Sequence, residues 1–152
     1  MERSVLIVDD EENLLILLDR IFSKEGYQVK TANNANQALE YVEREPFSVA
    51  ILDIKMYPID GVALLAEIKK RSPDIPVIMM TAYPTVDTRS DCMKYGAANY
   101  LIKPLDIQEL KSVVQGLAVA LAPLGSRSPR FGKKIFANRD WERGLRPPRV
   151  IE

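Results

Sequence analysis

Five short apolar runs recur along the chain, separated by longer segments of helical periodicity. The runs are Val5–Val8, Tyr27–Ala32, Val49–Leu52, Val77–Met80 and Tyr100–Ile102. The first, third and fourth are continuously apolar, the pattern of strands buried on both faces. Helices are predicted over Glu11–Lys24, Asn34–Arg44, Val62–Arg71, Val86–Lys94 and Ile107–Leu121. The last places Ile107, Leu110, Val114, Leu117 and Leu121 on one stripe. Gly26, Pro46, Pro73 and Gly96 supply the stops. Strict alternation of strand and helix predicts an α/β fold, a single doubly wound five-stranded parallel sheet with helices on both faces. After Leu121 the periodicity ends and Pro, Gly, Ser and Arg accumulate. A domain over 1–122 and a tail over 123–152 are therefore expected.

Charge sharpens that division. The 152 residues carry 21 basic and 21 acidic side chains. Residues 123–152 hold eight basic against three acidic ones, a net of +5, which leaves −5 on residues 1–122. Phe131, Phe136 and Trp141 are interspersed in the tail. No apolar run approaches the ~20 residues of a membrane span, and the run after Met1-Glu2-Arg3-Ser4 is too short for a signal-peptide core. A cytoplasmic protein is expected. The chain has no histidine, which excludes triads with an imidazole base and histidine-ligated metal sites. Its one cysteine, Cys92, excludes an internal disulfide and is expected to be a small buried apolar residue. Any metal must be held by oxygen, chiefly carboxylates.

Four of the runs end in a residue able to do chemistry. Val5–Val8 leads into Asp9-Asp10, Val49–Leu52 into Asp53, Val77–Met80 into Thr81, and Tyr100–Ile102 into Lys103-Pro104. Each alone has a plain explanation as a cap, a turn or a solvated charge. In an open parallel sheet, however, ligands bind beyond the carboxyl ends of the strands, and that geometry gathers all four at one edge. Crowded carboxylates repel unless cations are supplied. Mg²⁺ uses one or two carboxylates and keeps positions for phosphate oxygens. Lys103 adds a fixed positive charge. Together these groups suit stabilisation of a transferring phosphoryl group, and a carboxylate in such a site can serve as the nucleophile.

The segments Val5-Leu-Ile-Val-Asp9-Asp10-Glu11-Glu12, Leu52-Asp53-Ile-Lys-Met56, Ile59-Asp60-Gly61, Met80-Thr81-Ala82 and Tyr100-Leu-Ile-Lys103-Pro104 resemble the receiver domains of bacterial response regulators. The resemblance covers roughly residues 1–122. It implies a flavodoxin-like sheet of order 2-1-3-4-5 and assigns roles by position. Asp53 is then the phosphoacceptor. Asp10, Asp53 and the backbone carbonyl of Lys55 hold Mg²⁺, with Asp9 helping through water. Lys103 binds the phosphoryl oxygens and Thr81 donates its hydroxyl to them. Tyr100 is the switch aromatic, turning inward as Thr81 moves, and the Lys103-Pro104 bond is cis. Lys55 and Tyr83 stand at the mouth of the site. The family commonly has Pro-Gly where this chain has Tyr57-Pro58, so the shape of the loop after Asp53 stays open.

The resemblance further implies a signalling module rather than an enzyme, with a sensor histidine kinase or a histidine phosphotransfer protein as donor. Ile16 and Leu17, away from the core stripe of the first helix, are the expected docking positions. The uncharged end of the fifth helix, with Val119 and Ala120 outward, fits a phosphorylation-dependent homodimer or cover by the tail. For the basic tail, nucleic-acid binding and a plain linker both remain open. The alternative function is a receiver-like interaction module that does not use phosphorylation. A phosphatase of the haloacid dehalogenase type would need an acid where Lys55 stands. A flavodoxin-like cofactor carrier would need a phosphate-cradling loop where Asp9-Asp10-Glu11-Glu12 stands.

Overall fold

A computed structural model describes residues 3–120. The elements run β1 (Ser4–Val8), α1 (Glu12–Lys24), β2 (Gln28–Ala32), α2 (Ala35–Arg44), β3 (Val49–Asp53), α3 (Gly61–Arg71), β4 (Val77–Thr81), α4 (Val86–Lys94), β5 (Asn99–Ile102) and α5 (Ile107–Ala120). All strand pairs are parallel and the order is β2-β1-β3-β4-β5, as the resemblance implied. Leu121 and the basic segment 123–152 lie outside the described residues, as do the side chains of Val119 and Ala120, on which the expected apolar patch rests.

Burial follows the apolar pattern. Strands β3 and β4 are buried along their whole length and β1 nearly so, whereas β2 and β5 lie at the sheet edges. One face packs Leu15, Leu18 and Phe22 of α1 with Leu110, Val114 and Ala118 of α5. The other packs α2, α3 and α4 through residues such as Ala38, Val42, Leu64, Ile68 and Cys92. Cys92 is fully buried, and burial, with help from Asp91 and Asp60, pushes its thiol pKa up to about 12, so it is an inert apolar filler.

Boundaries differ slightly from those predicted. Glu11 is the N-cap of α1, with no side-chain cap bond, rather than its first residue. Helix α3 begins one residue earlier, at Gly61, because the Asp60 carboxylate accepts the Ala63 N–H at 2.9 Å, and an Asp cap sets the first turn. Gly26 and Gly96 end α1 and α4 with φ of 96° and 94°.

Candidate phosphoacceptor site

The strand order reverses between β1 and β3, and the candidate residues straddle that point. Asp9 and Asp10 follow β1, Asp53 closes β3, Thr81 closes β4 and Lys103 follows β5. Ladder bonds continue past the strands and fix their ends. Ile54 N–H donates to the Met80 carbonyl at 2.9 Å, and Lys103 N–H to the Thr81 carbonyl at 2.8 Å. Carboxylate oxygens of Asp9, Asp10 and Asp53 lie within 4.8 Å of one another. Asp10 is exposed, while Asp9 and Asp53 are 0% and 4% exposed.

The Lys103 ammonium binds the buried pair together. It donates to Asp9 Oδ2 at 2.7 Å and lies 3.3 Å from Asp53 Oδ1. The other Asp9 oxygen accepts the Glu11 N–H at 2.8 Å. Burial, then the charge of Asp9, raises the Asp53 pKa from 3.8 to about 6 against the opposing pull of Lys103. For Lys103, burial alone would favour the neutral amine, but the hydrogen bond to Asp9 and the charges of Asp9 and Asp53 overcome it and raise the pKa. The net result is an Asp53 carboxyl held above the usual carboxylate range.

Thr81 is fully buried and its hydroxyl oxygen accepts the Tyr83 N–H at 3.0 Å. Lys55 and Tyr83 are exposed. Both the Tyr57-Pro58 and Lys103-Pro104 bonds are cis; only the second was expected. Tyr57 points to solvent, 84% exposed, and the loop after Asp53 closes beneath it through a 2.8 Å bond from Gly61 N–H to the Ile54 carbonyl. The departure at Tyr57-Pro58 thus leaves Asp53 in the cluster.

Three contacts are not legible in the sequence. Glu11 stands 3.8 Å from the Lys103 ammonium and lends Asp9 its N–H. Gly61 packs directly on the Asp53 backbone. Thr88 touches the Tyr100 hydroxyl at 3.1 Å. For Thr88 a signal existed: Thr85-x-x-Thr88 is a capping-box spacing.

The pattern of the response regulator receiver domain matches residues 5–115. The chain belongs to that family. It is 41% identical over 132 residues to the transcriptional regulatory protein ZraR of Escherichia coli (strain K12), covering 87% of this chain but 30% of that protein. The chain thus spans less than a third of the length of the ZraR proteins it matches. It is 39% identical over 115 residues to sporulation initiation phosphotransferase F of Bacillus subtilis (strain 168), covering 76% of this chain and 93% of that one. Among solved structures, the response regulator TrrA from Thermotoga maritima, in complex with Mg(2+)-BeF, aligns with a TM-score of 0.68 at 36% identity over 76% of this chain and 98% of its own. A CheY-like receiver domain from Methanospirillum hungatei aligns with a TM-score of 0.72 at 30% identity, covering 77% and 97%. This receiver domain is a signalling module of two-component phosphorelays. Among the described residues, no helix is long and apolar enough to cross a membrane.

Proposed function

We propose that the receiver accepts a phosphoryl group on Asp53. The observation that carries this is the Lys103 ammonium held between Asp9 and Asp53, 3.3 Å from the carboxylate that would react. An Asp53 oxygen forms the new P–O bond as the donor's P–N bond, in a phosphohistidine, or P–O bond, in acetyl phosphate, breaks. Lys103 holds the incoming phosphoryl oxygens and fixes their orientation. Thr81 gives up the Tyr83 N–H and donates its own proton to a phosphoryl oxygen. Thr81 and Tyr100 are the pair through which the change reaches the surface.

The donor set fits Mg²⁺: three hard carboxylates within 4.8 Å, one of them open to solvent. Asp10, Asp53 and the Lys55 carbonyl would hold the ion, with Asp9 assisting through water, and the ion would neutralise charge on the transferring group. Because these 152 residues hold no histidine, the phosphohistidine is proposed to lie outside them, on a sensor histidine kinase or a phosphotransfer protein. A cytoplasmic location follows from that partnership. Residues 1–122 form the receiver and 123–152 a basic segment. The names of the ZraR relatives make control of transcription the output to test first.

Incubation with acetyl phosphate and Mg²⁺ should label the chain once with a phosphate that base and hydroxylamine release. Asp53→Asn should abolish labelling, and Asp10→Ala should weaken Mg²⁺ affinity on the order of tenfold, about 1.4 kcal/mol. Persistent labelling of the Asp53→Asn variant would overturn the nucleophile.

A further inference from the structure

Glu11 is the N-cap of α1, yet its side chain makes no cap bond to the first turn. Short side chains such as Ser, Thr, Asp and Asn suit that position better. The Glu11 side chain is 63% exposed, and its carboxylate stands 3.8 Å from the Lys103 ammonium. The next residue, Glu12, is engaged elsewhere, by the Asn33 amide at 3.3 Å. Capping therefore does not explain a glutamate at position 11, and its contact with Lys103 points to the site.

Asp9 sets this arrangement. One of its oxygens accepts the Glu11 N–H at 2.8 Å, and the other accepts the Lys103 ammonium at 2.7 Å. The same buried carboxylate thus fixes the lysine in front of Asp53 and the glutamate backbone beside it. Lys103 in turn lies 3.3 Å from Asp53 Oδ1. Both carboxylates meet at that ammonium, so Glu11 Oε1 is no farther than roughly 7 Å from the Asp53 oxygen, inside the Debye length of about 8 Å at physiological salt. An anion that reaches Asp53 therefore feels the charge of Glu11 as well as that of Lys103.

We propose that Glu11 is a charge filter for phosphodonors. Its carboxylate repels a donor in proportion to the donor's negative charge. It slows transfer from doubly charged acyl phosphates more than from singly charged phosphoramidates, whose P–N bond is of the type in phosphohistidine. The transfer itself is the same with either donor. An Asp53 oxygen forms the new P–O bond, and the leaving group departs with the electron pair of the broken one. Acetate leaves acetyl phosphate, and ammonia leaves phosphoramidate, whose nitrogen already carries the proton. Glu11 selects among donors and takes no part in the bond exchange. The role rests on the receiver reading above, but an anion that transfers nothing tests the filter by itself.

The full chain and its Glu11→Gln, Glu11→Lys and Glu11→Asp variants would be labelled at neutral pH and constant Mg²⁺. The donors are acetyl phosphate and phosphoramidate. Glu11→Gln should speed labelling by acetyl phosphate roughly fivefold and by phosphoramidate roughly twofold, as one charge at that range does in a water-like medium. Glu11→Lys should enlarge the advantage of acetyl phosphate, and Glu11→Asp should restore the wild-type ratio. High salt should bring wild type and Glu11→Gln together. Both donors are compared on one protein, so partial unfolding of a variant cancels from the ratio. Acetonylphosphonate, at mildly alkaline pH, is a dianion that transfers nothing. Its binding, read by phosphorus NMR, should tighten roughly fivefold in Glu11→Gln. Equal gains with both donors overturn the filter, and so does slower labelling or unchanged phosphonate affinity in Glu11→Gln. If neither donor labels wild type, the receiver reading fails, and phosphonate binding alone decides the filter.

Discussion

Lys103 lies closer to Asp9, at 2.7 Å, than to Asp53, at 3.3 Å. The ammonium is thus anchored on the fully buried Asp9 carboxylate, and it faces the proposed phosphoacceptor. Asp9 has two effects on Asp53: its charge raises the Asp53 pKa, and it holds the lysine that lowers it. Among the causes of the shift, burial is the largest and the Asp9 charge the next, ahead of Lys103. Asp9→Asn should therefore lower the Asp53 pKa below about 6 in EDTA, whereas Lys103→Met should raise it. Carboxyl carbon NMR titration reads both. A rise in the Asp9→Asn variant would mean that anchoring the lysine outweighs the repulsion.

The same shift makes stability depend on pH. An unfolded Asp53 ionises near 3.8 and the folded one near 6. Between these values the folded state holds the extra proton, so stability falls as pH rises through the window and stays lower above it. Two units correspond to about 3 kcal/mol. In EDTA at pH 7, Asp53→Asn should be more stable than wild type by up to about 3 kcal/mol, and the difference should shrink toward pH 4. Added Mg²⁺ should stabilise wild type more than the variant. Urea unfolding at the two pH values checks this. A variant less stable than wild type at pH 7 in EDTA would refute it.

What the sequence showed and what it hid differ in kind. Strands β1, β3 and β4 were readable because strands covered on both faces are apolar throughout. Asp9, Asp10, Asp53, Thr81 and Lys103 were readable because each directly follows such a run, and parallel strands end on one edge. Thr88 stood apart because its role depends on a ring delivered by β5, twelve residues on. Glu11 was hidden because a backbone N–H carries its contact to Asp9. Gly61 was visible within a motif, but its reason is a steric contact with another element.

Ile16 and Leu17 are 54% and 45% exposed on α1, beside the buried stripe Leu15, Leu18 and Phe22. Isolated exposed apolar residues are common, so exposure alone decides nothing. Ile16→Glu with Leu17→Lys should change stability by no more than about 0.5 kcal/mol and leave acetyl phosphate labelling intact. Transfer from a cognate kinase should slow roughly tenfold, about 1.4 kcal/mol. Equal loss with both donors would point to misfolding.

Tyr83 follows Thr81 by two residues, and its backbone is tied to the Thr81 hydroxyl. Tyr83 is 68% exposed, and we propose that its ring hinders water approaching Asp53 in line. Tyr83→Ala should shorten the phosphoprotein half-life severalfold, on the order of 1 kcal/mol in the hydrolysis barrier. Decay of the label after donor removal measures it, and a half-life equal to or longer than wild type would refute the shielding role.

Gly61 opens α3 against the end of β3. A Cβ there would overlap the Asp53 carbonyl oxygen and come within 2.8 Å of the Asp53 carbonyl carbon and the Ile54 Cα. All three are backbone atoms, so no side chain can swing aside. The loop cannot relax freely either, because the Gly61 N–H bonds the Ile54 carbonyl at 2.8 Å and Asp60 caps the next turn. Replacing glycine by alanine at a compatible site stabilises by about 0.4–1 kcal/mol through the unfolded chain. Overpacking costs about 1–3 kcal/mol, and a clash with fixed backbone belongs at the upper end, so the steric effect wins. Gly61→Ala should lower stability by about 2 kcal/mol in urea. Because the displaced atoms are those of the proposed phosphoacceptor, labelling should slow as well, even where the protein is fully folded. A Gly61→Ala variant as stable as wild type would show that the loop yields, and that the close approach is not what holds Asp53 in place.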